Sequence, residues 1–177
     1  MLDMFSAPTS VAVIGASREP GKLGYAVLDN IIKSGFSGPI YAINPNASEI
    51  LGKPCYPSVL DVGEPIDLVV ITVPARFVAK VLDECGQKGV RGAIIITAGF
   101  REVGSQGAQL ERELIEVAGR YNVRLVGPNV LGMIDTVTPI NASFAAGMPK
   151  AGRISFMSQS GALCTAILDW ANANDLG

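Results

Sequence analysis

The chain has 177 residues, and 14 Lys and Arg against 16 Asp and Glu leave a net charge of −2. That length suits one complete domain with room for part of a second, large enough to bury about 70% of the surface its unfolded form exposes without staples. The near-zero charge excludes an electrostatic footprint for nucleic acid, and 20 glycines with 11 prolines are too few for a collagen-like or low-complexity chain. Val11-Ala12-Val13-Ile14 reads as a buried strand that stops at Gly15. Leu23 to Lys33 carries Leu28, Ile31 and Ile32 at helical spacing, with Gly35 as a stop signal. Ile40-Tyr41-Ala42-Ile43 is a second strand, closed by Asn44-Pro45. The stretch 47–67 is rich in Gly and Pro and offers only a short helix near Pro57–Asp61. Leu68–Val73 is a third strand, closed by Pro74, and Val78, Val81, Leu82 and Cys85 then stripe one helix face. Ala93–Ile96 makes a fourth strand, Leu110, Leu114, Val117 and Tyr121 stripe another helix, and Arg124–Val126 is a short fifth strand.

Strands apolar throughout imply a sheet covered on both faces, and helices between them imply parallel order with right-handed crossovers. The fold class is therefore α/β, a doubly wound parallel sheet. After Gly127-Pro128-Asn129 the pattern loosens, and 136–151 reads as a linker. A new unit then begins, with strand Ile154–Met157, loop Ser158–Gly161 and a helix from Ala162 to about Ala173 bearing Leu163, Ile167 and Trp170 on one face. A single βα unit cannot bury its own core. The division expected is 1–135 as the first domain, 136–151 as linker and 152–177 as the incomplete start of a second. The orphan unit is expected either to pack on its own sheet or to be exchanged between two copies.

Histidine is absent, which removes His-based acid–base work, His-dependent triads and phosphohistidine chemistry from this chain. Cys55, Cys85 and Cys164 form no metal-binding or redox spacing and read as buried small residues. Apolar runs fall far short of the roughly 20 residues a membrane helix needs. Met1–Ser10 lacks Lys and Arg, so no secretory leader is expected and the setting predicted is cytoplasmic.

Ligands of an open parallel sheet bind beyond the carboxyl ends of its strands. The first of those ends is the most informative. From Gly15-Ala16-Ser17 to Gly21-Lys22-Leu23-Gly24, glycines permit a tight turn and close backbone approach. Free N–H groups at a helix start, with Ser17 and Lys22 beside them, suit a phosphate. The plain alternative is a Gly-rich turn with solvated cations. Asn44-Pro45 stands where an NAD-binding fold usually places an acid for the ribose, which disfavours a nicotinamide cofactor. Val73-Pro74 and Ala98-Gly99-Phe100 supply small and apolar groups, with Phe100 either stacking on a flat base or plugging the core. Asn129 suits a turn. Ser158, Ser160 and Gly161 lead into a helix, either as an anion site or as an ordinary N-cap by Ser160.

In chain order, Gly15-Ala16-Ser17, Gly21–Gly24, Asn44-Pro45, Val73-Pro74, Ile96–Phe100, Gly127–Gly132 and Ser158–Ala162 resemble the CoA-binding domain of NDP-forming acyl-CoA synthetases, the ADP-forming acetate–CoA ligases, and the related succinyl-CoA synthetase α subunit. The resemblance implies a Rossmann-like domain whose first five strand ends surround coenzyme A, with its phosphates at the first glycine loop. It assigns Gly15, Ala16, Ser17, Lys22, Leu23, Gly24, Asn44, Pro45, Val73, Pro74, Ala98, Gly99, Phe100 and Asn129 to CoA. It assigns Ser158, Ser160 and Gly161 to a phosphate at the opening of a flavodoxin-like second domain.

The family reaction converts acyl-CoA, ADP and phosphate to acid, CoA and ATP through an acyl phosphate and a phosphohistidine. The matching histidine, the ATP/ADP site and its Mg are expected beyond Gly177, so the resemblance implies a CoA-binding fragment of an acid–CoA ligase that is not expected to turn over on its own. Its expected partners are CoA and the remaining ligase domains or a β subunit, with no nucleic acid and no membrane. The alternative is a non-catalytic CoA- or dinucleotide-sensing module, as in protein lysine acetyltransferases that carry a similar domain. The basic residue that follows Pro45's counterpart in some succinate-specific relatives is missing, since Asn46 and Ala47 follow here, which leans towards acetate-type ligases.

Overall fold

The computed structural model describes residues 3–177. The sheet runs through β1 (Val11–Ile14), β2 (Ile40–Ile43), β3 (Glu49–Ile50), β4 (Lys53–Tyr56), β5 (Leu68–Ile71), β6 (Gly92–Ile95) and β7 (Arg124–Val126). These form one seven-stranded sheet in the order β3-β4-β2-β1-β5-β6-β7. All pairs are parallel except β3 with β4. Without β3, the order is that of doubly wound dinucleotide-binding sheets, which reverses direction between β1 and β5. In register, Val11 sits between Ile40 and Leu68, and Ile14 between Ile43 and Ile71. The strands β1, β5 and β6 are buried at every residue because helices cover both faces.

The helices are α1 (Asp3–Ser6), α2 (Leu23–Lys33), α3 (Ala75–Lys88), α4 (Ser105–Tyr121) and α5 (Gly161–Ala173). One core joins Val27, Leu28 and Ile31 of α2 to Val11, Val13, Leu68 and Val70. The other joins Val78, Leu82 and Cys85 of α3 and Leu114 of α4 to the alternate strand residues Ala12, Val69 and Ile71. Successive strand side chains thus serve opposite layers. Single-turn helices at Val59–Asp61 and Arg101–Val103 finish two connections, the first lying in the short helical stretch expected at 57–61.

The structure differs from these expectations in four places. The Gly/Pro-rich stretch 47–67 holds the β3–β4 hairpin, and β4 extends the parallel sheet. The expected linker 136–151 holds a buried strand: β8 (Gly132–Asp135) pairs antiparallel with β9 (Ile140–Ser143), and β9 packs against α2, its Ile140 and Ala142 joining the same core as Val27, Leu28 and Ile31. Asn30 fixes it there, its Nδ2 donating to Ser143 O at 2.9 Å and Ala145 O at 2.8 Å. The expected strand Ile154–Met157 is absent. Those residues are irregular and exposed, since no strand edge lies beside them to supply a ladder. Burial of the last unit against its own sheet is not seen: Leu168 is the one buried residue of α5, while Leu163, Ile167 and Trp170 are exposed. Among the described residues no helix is long and apolar enough to cross a membrane.

Candidate functional site at the switch point

Because β1 is hydrogen-bonded on both sides, the chain leaving it must turn sharply. Gly15 does so at φ +90°, where a side chain is strained, and a Cβ there would lie 2.7 Å from Thr72 Oγ1. At Gly24 a Cβ would collide with the Gly15 carbonyl, so the first turn of α2 rests directly on the loop. Thr72 Oγ1 donates to Ile14 O at 3.0 Å and to Gly15 O at 3.2 Å, binding the end of β5 to this turn. Asn44 closes the other side, Nδ2 donating to Ala16 O at 2.7 Å while Oδ1 accepts from Asn46 N at 2.8 Å. Ser17 Oγ accepts from Glu19 N at 3.0 Å.

These groups wall a cleft of about 500 Å³ where the sheet order reverses, with Lys22 and Leu23 at its rim. Lys22 precedes α2 with extended backbone, and no side chain caps that helix start. The end of the helix dipole therefore faces the cleft. Lys22 Nζ lies 3.8 Å from the Glu19 carboxylate, both well exposed, and the Arg18 guanidinium donates to Asn46 O at 3.4 Å. Helix amides, a lysine and an arginine make the mouth attractive to anions, and glycines leave room for them.

The expected site residues divide. Gly15, Ala16, Ser17, Lys22, Leu23, Gly24 and Asn44 come together in the cleft. Pro45 lies exposed beyond Asn44, and Val73 O accepts from Thr97 Oγ1 at 2.7 Å. Pro74 precedes α3. Ala98 is exposed, and Gly99, at φ +109°, donates its N–H to Glu102 Oε1 at 2.6 Å. That bond holds the Glu102 carboxyl below the usual carboxylate range. Asn129 has φ 58° and donates its N–H to Thr97 O at 3.0 Å, a turn role.

Phe100 is 1% exposed and packs with the α3–α4 core, so of its two readings the plug holds. Ser158, Ser160 and Gly161 stand apart at the start of α5, where Ser160 Oγ accepts from Leu163 N at 3.3 Å as an N-cap. Cys85 is buried, which pushes its thiol far up, and burial also raises Cys55, whose Sγ lies 3.5 Å from Asn44 O. Sequence reasoning missed Thr72. Its signal was a lone hydroxyl at the carboxyl end of an otherwise apolar strand.

Comparison with known proteins gives this geometry a context. Residues 9–136 match the model of a family described as a CoA binding domain. Over 170 residues the chain is 55% identical to the acetate–CoA ligase [ADP-forming] I of Archaeoglobus fulgidus, covering 96% of this chain and 24% of that protein. It is 43% identical to the acetate–CoA ligase [ADP-forming] I subunit alpha of Pyrococcus furiosus, covering 99% of this chain and 39% of the subunit. Among solved structures, the dinucleotide-forming acetyl-coenzyme A synthetase 1 of Ca. Korarchaeum cryptofilum, in complex with phosphate and ADP, superposes with a TM-score of 0.93. That pair is 40% identical over 99% of this chain and 37% of the other. The chain thus spans between a quarter and two-fifths of the length of these relatives.

Proposed function

The chain belongs to the CoA-binding domain family, and on that premise we propose that the switch-point cleft is where it holds coenzyme A. In this reading the Gly15-Ala16-Ser17 turn and the first N–H groups of α2 take the pyrophosphate, Lys22 neutralises it, and Leu23 and Gly24 shape the approach. Asn44, Pro45, Val73, Pro74, Ala98, Gly99 and Asn129 flank the rest of the ligand, while Phe100 supports them from the core. The observation that carries the reading is the uncapped start of α2 laid on Gly15, where Cβ atoms at Gly15 and Gly24 would fill the cradle. CoA, when bound, would supply the thiol that carries an acyl group.

The named relatives support a wider assignment: the CoA-binding part of an ADP-forming acid–CoA ligase, with the ATP/ADP site and Mg on other domains or a β subunit. The name of the Pyrococcus furiosus relative, a subunit alpha, supports the second arrangement. Residues 152–177 are then the opening of a second domain, with Ser158, Ser160 and Gly161 for a phosphate at the start of α5. The exposed Leu163, Ile167 and Trp170 support that division, and in the isolated chain they also support exchange of this unit between two copies. Three free cysteines suit a reducing cytoplasm.

Calorimetric titration with CoA, with NAD and ADP as controls, tests the reading. Saturable CoA binding that Gly15→Val abolishes and Lys22→Glu weakens is the expected result. NAD binding without CoA binding would overturn it in favour of a dinucleotide module.

A further inference from the structure

The cleft uses the cations and N–H groups at the start of α2 and leaves unexplained a pair across the switch point. Phe77 is 44% exposed in the first turn of α3, although its neighbour Val78 is fully buried against the sheet. The Arg76 guanidinium lies over the Phe77 ring, 4.6 Å from its centroid. It has no ion-pair partner among the described residues. An exposed aromatic carrying an unpaired guanidinium is a flat, cationic surface with nothing of its own to bind.

Its place follows from the helix. Phe77 N donates to Pro74 O at 2.8 Å, two residues after Thr72 at the cleft wall, so the pair stands at the carboxyl edge of the sheet. Glu84 is two turns further on and shares the Phe77 flank. It accepts from Ser58 Oγ at 2.7 Å, and Ser58 follows β4, the neighbour of β2. The flank bearing Phe77 therefore looks across β1 towards β2, the side where Asn44 and Arg18 stand. The opposite flank faces α4 through Gly86 and Tyr121.

We propose that Arg76 and Phe77 receive the adenosine 3′-phosphate of coenzyme A, the purine lying against the stacked pair and the guanidinium fork taking the phosphate. The assignment rests on the CoA reading and deepens it. Coenzyme A differs from dephospho-CoA by that one phosphomonoester, and a ligand site that tells them apart needs a cation outside the pyrophosphate cradle. Asn46 and Ala47, after Asn44-Pro45, supply none. Arg18 already donates to Asn46 O. Arg76 is free, and its fork is held flat by the ring beneath it, which suits a phosphate better than a mobile lysine would.

The test is titration of CoA and of dephospho-CoA into the wild-type chain, Arg76→Gln and Phe77→Ala, with thermal unfolding to show that these surface variants keep their fold. The wild type is expected to prefer CoA. Arg76→Gln is expected to weaken CoA about tenfold and dephospho-CoA less than about twofold, and Phe77→Ala to weaken both. Equal effects of Arg76→Gln on the two ligands, no effect on either, or a wild type blind to the 3′-phosphate would overturn this assignment while leaving the cleft as a CoA site. A wild type that binds neither ligand would overturn the CoA reading and this assignment with it.

Discussion

Thr72 Oγ1 joins the ends of two central strands to the turn beyond one of them. Replacing it by Val keeps the shape and leaves the Gly15 carbonyl without that donor. Thr72→Val is expected to cost about 1 kcal/mol in urea unfolding and to weaken CoA binding by more than its loss of stability suggests, because the turn it holds is the cradle. Two carboxylates set an acid limit on stability. Hydrogen bonds from Thr9, chiefly its hydroxyl at 2.6 Å, keep Asp67 below the usual range, and the Gly99 N–H does the same for Glu102. A lowered native pKa adds stability that is present above the unfolded value of about 4 and lost as pH falls through the native one. Thermal midpoints are therefore expected to drop on acidification below about pH 4, and Asp67→Asn should flatten part of that slope. At this scale the sequence displayed the glycines of the cradle, because a βα turn beside a buried strand demands them. It marked Thr72 only as a lone hydroxyl in an apolar strand, since its role depends on β1 and β5 being neighbours, and it left Phe100 between two readings, since its burial depends on packing with the α3–α4 core.

Helix pairing carries its own test. A Cβ at Gly86 would drive into the Tyr121 ring, where α3 meets α4. Gly86→Leu is accordingly expected to destabilise by about 1–3 kcal/mol through overpacking, seen as a lower urea midpoint with the far-UV spectrum retained. The central strands and the long helices were legible because their apolar runs and stripes obey one period each. The β3–β4 hairpin was not. Its turn places Leu51 at φ 50° and Gly52 at φ 72°, a conformation usually announced by Asn-Gly, and β4 is an edge-side strand of Lys53, Pro54, Cys55 and Tyr56, only partly buried. Strand β9 was hidden for a different reason: its Asn141 and Ser143 are buried but satisfied by one another and by nearby carbonyls, Ser143 Oγ donating to Asn141 Oδ1 at 2.6 Å. Composition alone reads such residues as loop.

For the molecule as a whole, the two cores are built from the sheet, the helices α1 to α4 and strand β9, and none of their buried residues comes from beyond Ala142. Ending the chain after Gly147 is expected to leave the urea midpoint of the α/β domain within the scatter of surface substitutions, about 0.5 kcal/mol. A large loss would mean that α5 supports the fold after all. The doubly wound parallel class of the sheet followed from the sequence once apolar strands and right-handed crossovers were granted, whereas the fate of the final unit did not, since a lone βα segment has no internal partner to reveal it. The clasp of β9 on α2 has a further consequence for how the protein is made. Asn30 and Ser143 stand 113 residues apart, so while the ribosome is still producing the middle of the chain, the flank of α2 that carries Asn30 has no cover. The nascent domain must hold that helix by its contacts with β1 and β2 until residues 140–145 emerge, and only then is the helix at the ligand cradle clasped by β9 as well.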